Sequence, residues 1–137
     1  MALVLDASVI AEYLLGSELG RSAATMLGRY AGELHIPHLA VIETASVLRA
    51  WARKGEIGLQ RIDAALSDLQ DFPARRWPGD FLLARIWELR GNVTAYDGCY
   101  VALSEFLEAS LLTADSRLRR GIEGSARCPV IVLGSSG

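Results

Sequence analysis

Four carboxylates sit where the surrounding sequence is apolar. Asp6 ends the run Ala2-Leu3-Val4-Leu5, and Glu43 is the only charge between Leu39 and Leu48. Asp97 is the only charge between Asn92 and Ser104, and Asp115 follows Leu111-Leu112-Thr113-Ala114. An unpaired buried carboxylate costs several kcal/mol, so four of them invite a common cause. Hard divalent cations are the usual one, because Mg²⁺ and Mn²⁺ prefer oxygen ligands. Each acid also has a purely structural reading. Asp6 and Asp115 stand where helix caps belong, and Glu43 or Asp97 could pair with a buried arginine.

The elements that must position these acids are legible in the hydropathy pattern. Residues 3–5 are apolar without alternation, the mark of a strand buried on both faces. Ser8 is the expected N-cap of a helix to about residue 15, and a second helix is expected over 21–30. A strand at 34–36 precedes Pro37 and a long helix over 39–54, stopped by Gly55. Leu59, Ile62, Leu66 and Leu69 keep helical spacing, so 59–69 is a further helix. A brief strand at 75–77, a helix over 80–90, a helix from 94 or 95 to about 108, a strand at 111–113, a short helix at 116–120 and a strand at 130–133 complete the chain. Short apolar strands alternating with helices imply an α/β sandwich with a small, mostly parallel sheet. We expect one domain over residues 1–133 and a flexible tail at 134–137.

In parallel α/β sheets, ligands collect at the carboxyl ends of the strands. Asp6 and Asp115 follow two strand ends. Glu43 and Asp97 lie within the first turn or so of helices that begin at that edge, so the four acids converge by topology. Two carboxylates about 4 Å apart repel by about 4 kcal/mol at an effective dielectric of about 20. One or two Mg²⁺ ions would relieve that repulsion and turn the pocket into one that accepts phosphate. Metal-assisted phosphodiester hydrolysis is the reaction class that suits this constellation. Ser8 and Thr113 place hydroxyls near the acids, either to orient a carboxylate or to cap. Glu12 reads as solvated, Tyr96 and Tyr100 as core, and His35 and His38 as a strand end and turn without a third ligand. The chain has no glycine-rich phosphate loop and no motif for a Ser-His-Asp nucleophile.

Composition narrows the setting. The 137 residues are 51% hydrophobic and 22% charged with a formal charge of −2, which describes a globular chain and points to no partner. Lys54 is the only lysine, and Arg49/Arg53/Lys54 and Arg117/Arg119/Arg120 form the basic clusters. Cys99 and Cys128 are far apart, which favours a reduced, cytoplasmic context. No signal peptide and no membrane span of about 20 apolar residues is apparent.

The segments 4–9, 37–43, 94–103 and 111–118, in this order and spacing, resemble the PIN-domain ribonucleases, and within them the VapC-type toxins of bacterial toxin–antitoxin pairs. They read Val4-Leu5-Asp6-Ala7-Ser8-Val9, Pro37-His38-Leu39-Ala40-Val41-Ile42-Glu43, Thr94-Ala95-Tyr96-Asp97-Gly98-Cys99-Tyr100-Val101-Ala102-Leu103 and Leu111-Leu112-Thr113-Ala114-Asp115-Ser116-Arg117-Leu118. The resemblance implies a three-layer α/β/α sandwich and a Mg²⁺- or Mn²⁺-dependent endoribonuclease. It implies that Asp6, Glu43, Asp97 and Asp115 are the acidic quartet, assisted by Thr113 or Ser8. It further implies a homodimer silenced by a small VapB-type antitoxin. Some PIN nucleases carry a further acid just after the fourth. This chain carries Ser116 and Arg117 there, which makes Arg117 a candidate contact to phosphate or to an antitoxin carboxylate. Two other readings stay open at this level: a receiver-like regulatory module, and a PIN-like scaffold without activity.

Overall fold

Strands buried on both faces need partners on both edges, and Leu3-Val4-Leu5 has them. In the computed structural model, which describes residues 1–134, β1 (Leu3–Leu5) is wholly buried. It pairs in parallel with β2 (Leu34–Pro37) on one edge and with β4 (Ser110–Thr113) on the other. β3 (Arg75–Trp77) extends the sheet beyond β2 and β5 (Val130–Val132) beyond β4, both parallel, which gives the order β3-β2-β1-β4-β5. The expected "mostly parallel" sheet is parallel throughout. The chain works outward from β1 to β3, returns across the sheet, and resumes at β4. β1 and β4 therefore flank a topological switch point, the place where open α/β sheets bind ligands. A receiver-like sheet would place β1 between β2 and β3, so that reading is set aside.

Helices cover the sheet in two groups. α1 (Ala7–Leu15) packs against α2 (Glu18–Arg29), α3 (Leu39–Arg53) and α4 (Leu59–Gln70). α6 (Ala95–Phe106) lies against β1, β2 and β4 and carries α5 (Leu83–Glu88). α7 (Ser116–Gly121) sits beside β5. One apolar cluster, including Leu3, Leu5, Ile10, Ile36, Leu48, Leu103 and Leu111, runs through the layers.

Three expectations shift. α1 starts at Ala7 because Asp6, not Ser8, is its N-cap, accepting from the Ser8 and Val9 N–H groups. α2 starts earlier than residue 21 because Ser17 caps it at the Gly20 N–H. Position 20 must be glycine, since a Cβ there would stand 2.0 Å from the Glu12 carbonyl oxygen. The 80–90 segment is a 3₁₀ turn (Asp80–Leu82) followed by a helix that ends at Glu88. Gly55, at φ +74°, does end the long helix as its position implied. Of the segment read as a tail, Ser135, Ser136 and Gly137 lie outside the described residues. No helix among the described residues is long and apolar enough to cross a membrane.

One ion pair ties α5, α6 and the segment before β5 together. Arg85 Nε and Nη2 donate to the two carboxylate oxygens of Glu105 at 2.7 and 3.1 Å. Glu105 also accepts from the Arg127 N–H, and Arg85 Nη2 donates to the Ser125 carbonyl, both at 2.7 Å. Burial pushes the Glu105 carboxyl up, yet Arg85 and the Arg127 N–H hold it below the usual glutamate value. Its stabilisation is therefore fully present above pH 4.5 and lost as pH falls through the lowered value. Glu105→Ala leaves Arg85 with only the more distant, exposed Glu88 at 3.8 Å and is expected to cost about 2 kcal/mol at pH 7 in urea unfolding. The deficit should shrink in acid.

Candidate active site

Every one of the four acids lines one cleft of about 490 Å³, at the edge where β1 and β4 end. Ser8, Ser46, Tyr96 and Tyr100 complete its polar wall. Asp6 is the most enclosed member, with 7% of its surface exposed. It follows β1 directly, and its own N–H donates to the Leu112 carbonyl of β4 at 3.1 Å. Its Oδ1 accepts from the Ser8 N–H at 2.9 Å and from the Ser8 hydroxyl, and its Oδ2 accepts from the Thr113 hydroxyl. Both hydroxyls also accept. The Ala114 N–H donates to Ser8 Oγ and the Asp115 N–H to Thr113 Oγ1, each at 3.0 Å. Ser8 and Thr113 thus clamp the start of α1 to the exit of β4 and hold the Asp6 carboxylate between them.

Asp115 is the N-cap of α7 and accepts from the Arg117 N–H at 2.9 Å and from Arg117 Nε at 3.3 Å. The capping readings of Asp6 and Asp115 are therefore correct, and both residues face the cleft as well. Asp97 lies in the first turn of α6, its N–H bonded to the Thr94 N-cap hydroxyl at 3.2 Å. Glu43 lies one turn into α3, where Tyr100 Oη donates to its Oε1 at 2.6 Å. Neither Glu43 nor Asp97 makes an ion pair with a buried arginine.

The charges oppose one another. Burial raises the Asp6 carboxyl above the ordinary aspartate value, against the pull of the Ser8 and Thr113 hydrogen bonds. Burial, then the charges of Asp97 and Asp6, raise Glu43, while Tyr100 draws it down. Burial, then Asp6 and Asp115, raise Asp97, while Thr94 and Arg117 draw it down. Arg117 reaches Asp115 and draws Asp97 down, but Asp6 and Glu43 have no cationic side-chain partner among the described residues of the set. Its donors are all oxygens, which suits a hard divalent ion. As the side chains stand, no three acids, histidines or cysteines among the described residues cluster closely enough to clasp one.

The remaining candidates fall elsewhere. His35 accepts the Trp77 indole N–H at 3.0 Å, and neither His35 nor His38 lines the cleft. Glu12, expected to be solvated, is half-buried and accepts from the Ser17 hydroxyl at 2.5 Å. Tyr100 is core, 2% exposed, yet its hydroxyl reaches the site, a role that a reading as core missed. Its place three residues after Asp97 on one helix face was the available signal. Tyr96, expected in the core, is 63% exposed at the cleft wall.

A parallel α/β sheet with an all-carboxylate cleft at its switch point defines a class of acidic-centre α/β/α domains, and the comparisons name it. Residues 3–122 match the model of the PIN domain family. The chain is 39% identical over 131 residues to ribonuclease VapC9 of Mycobacterium tuberculosis, covering 96% of this chain and 98% of that protein. In structure it resembles a protein of Pyrobaculum aerophilum (TM-score 0.68, 19% identity, 95% of this chain and 83% of the other). A toxin–antitoxin complex from Klebsiella pneumoniae contains a similar chain (TM-score 0.63, 19% identity, 96% of this chain and 97% of the other). The chain belongs to the PIN-domain family, in the branch of the VapC ribonucleases.

Proposed function

We propose that this chain is a VapC-type toxin, a metal-dependent endoribonuclease that hydrolyses RNA phosphodiester bonds in its acidic cleft and is neutralised by a small VapB-type antitoxin. The reading includes a cytoplasmic homodimer whose nuclease unit spans residues 1–133. The observation that carries it is the convergence of Asp6, Glu43, Asp97 and Asp115 on one cleft in a chain of this family. The names of the relatives, ribonucleases and a toxin–antitoxin complex, support the substrate class and the partner.

In this reading Asp6, Asp97 and Asp115 hold Mg²⁺ or Mn²⁺, with Glu43 as a further ligand or as general base. A cation held by these acids would supply positive charge against the scissile phosphate and would lower the pKa of the attacking water. Ser8 and Thr113 keep Asp6 from rotating out of the cleft, with both carboxylate oxygens occupied by their hydroxyls. With Glu43 as the base, it would take the proton from the attacking water, and the Tyr100 hydroxyl on Oε1 would leave Oε2 free to do so. Arg117, 82% exposed at its side chain, is placed to meet either a substrate phosphate or an antitoxin carboxylate.

Purified protein is expected to cut members of a tRNA panel with Mg²⁺ or Mn²⁺ and none in EDTA. Cutting in EDTA, or no cutting of any RNA, would contradict the reading. Tyr100→Phe removes the one hydrogen bond that lowers the Glu43 carboxyl. The acidic limb of its rate–pH profile should therefore move to higher pH, with kcat reduced about tenfold.

A further inference from the structure

A second groove, of about 570 Å³, opens beside the acidic cleft and shares Asp97 and Asp115 with it. Arg90, Asn92 and Arg117 line it as well. One wall is set by close packing. Gly121 lets α7 lie against the 91–93 loop, where a Cβ would stand 3.1 Å from Val93 Cγ1 and 3.2 Å from the Asn92 carbonyl oxygen. The Arg90 guanidinium lies 4.7 Å from the centre of the Trp87 ring, which stands just outside the groove lining, and donates a 2.8 Å hydrogen bond to the Trp87 carbonyl. Trp87 is 66% exposed even so. An exposed tryptophan beside an arginine matches what unstacked bases and phosphates recognise.

We infer that this groove is an RNA subsite in which Arg90 contacts a phosphate beyond the scissile one and Trp87 stacks an unpaired base. The inference rests on the proposed ribonuclease function and extends it to a contact outside the acidic cleft. The polarity of the groove fits one occupant, a single strand of RNA. Asp97 and Asp115, shared with the acidic cleft, belong with the scissile phosphate and its cation, and Arg90 carries the charge a neighbouring phosphate needs. A base paired in a duplex presents no free face to Trp87, so the subsite selects single-stranded segments.

The test compares wild type, Arg90→Ala and Trp87→Ala, all surface changes. Binding of a fluorescent single-stranded oligoribonucleotide is read by anisotropy in EDTA, where cleavage is blocked, across a range of salt, beside a blunt RNA duplex. Cleavage kinetics and sedimentation are run on the same samples. Each variant is expected to weaken single-strand binding about tenfold and to raise KM with kcat unchanged. Arg90→Ala should reduce the slope of log affinity against log salt by about 0.7, and Trp87→Ala should leave it alone. Unchanged single-strand affinity in both variants would overturn the inference. So would a Trp87→Ala protein that loses self-association but binds RNA normally. Wild type that binds through these residues yet cuts no RNA would refute the ribonuclease reading while upholding the groove.

Discussion

Asp97→Asn is expected to lower RNA cleavage by at least about a thousandfold while leaving the protein folded. The rate effect follows from removing one oxygen charge from the set that holds the cation, a contribution of several kcal/mol to transition-state stabilisation. The structural effect should be small because Asp97 contributes little to the fold through its carboxylate. Its backbone N–H meets the Thr94 cap, a contact that asparagine keeps. Its charge is opposed by burial and by Asp6 and Asp115. Asparagine keeps the shape and removes that opposition, at the loss of a modest helix-dipole interaction. Asp6→Asn is a poorer probe. The Asp6 carboxylate accepts from two hydroxyls and from the Ser8 and Val9 N–H groups. An amide nitrogen in its place would face a donor. Asp6→Asn should therefore lose activity and also about 1–3 kcal/mol of stability. A thermal scan beside the cleavage assay separates the two. Activity within tenfold of wild type in Asp97→Asn would contradict the assignment of that residue.

Metal removal should be visible in stability and should depend on pH. At a Mg²⁺ concentration about a hundredfold above its dissociation constant, the folded protein gains about 2.7 kcal/mol, or about 10 °C in thermal midpoint for a chain of this size. The pH dependence follows from the raised carboxyls. Asp6, Glu43 and Asp97 each contribute stability that is fully present below the ordinary value, 3.8 for aspartate and 4.5 for glutamate. That contribution is lost as pH rises through the raised value. Metal-free protein at pH 7 therefore holds three opposed charges and recovers part of the deficit on acidification. Mg²⁺ prefers the ionised carboxylates, so the gap between midpoints in Mg²⁺ and in EDTA should be widest near neutrality and close toward pH 5. Glu105 titrates in the opposite sense but is common to both conditions and cancels in the difference. Asp97→Asn should narrow the gap at every pH. A gap that does not vary with pH, or that survives in Asp97→Asn, would place the cation elsewhere.

Much of this arrangement is legible in the sequence, for identifiable reasons. Buried parallel strands advertise themselves as short apolar runs, and β1 and β4 lie where Leu3–Leu5 and Leu111–Thr113 place them. A charge that interrupts such a pattern stands out, which is how Asp6, Glu43, Asp97 and Asp115 could be singled out together. What is missing from the linear pattern is through-space. The order β3-β2-β1-β4-β5 depends on crossovers that hydropathy does not record. Asp6 displaces Ser8 as the cap of α1 because the backbone turns into the helix two residues earlier than the apolar pattern suggests. Tyr100 reaches Glu43 across 57 positions only once α6 lies over β1 and β2. Arg90 and Gly121 line one groove beside the cleft because α7 lies close against the 91–93 loop, and a lone glycine carries no such message in the sequence.

The most direct test is to locate the cation itself. Crystals of wild-type protein soaked with Mn²⁺ and measured at a wavelength where manganese scatters anomalously should show a peak in the cleft, bonded to carboxylate oxygens of Asp6, Asp97 and Asp115. The peak should vanish in Asp97→Asn. A protein that cuts RNA with Mn²⁺ yet shows no manganese in this cleft, or shows it bound elsewhere, would contradict the assignment of these acids as the centre of the reaction.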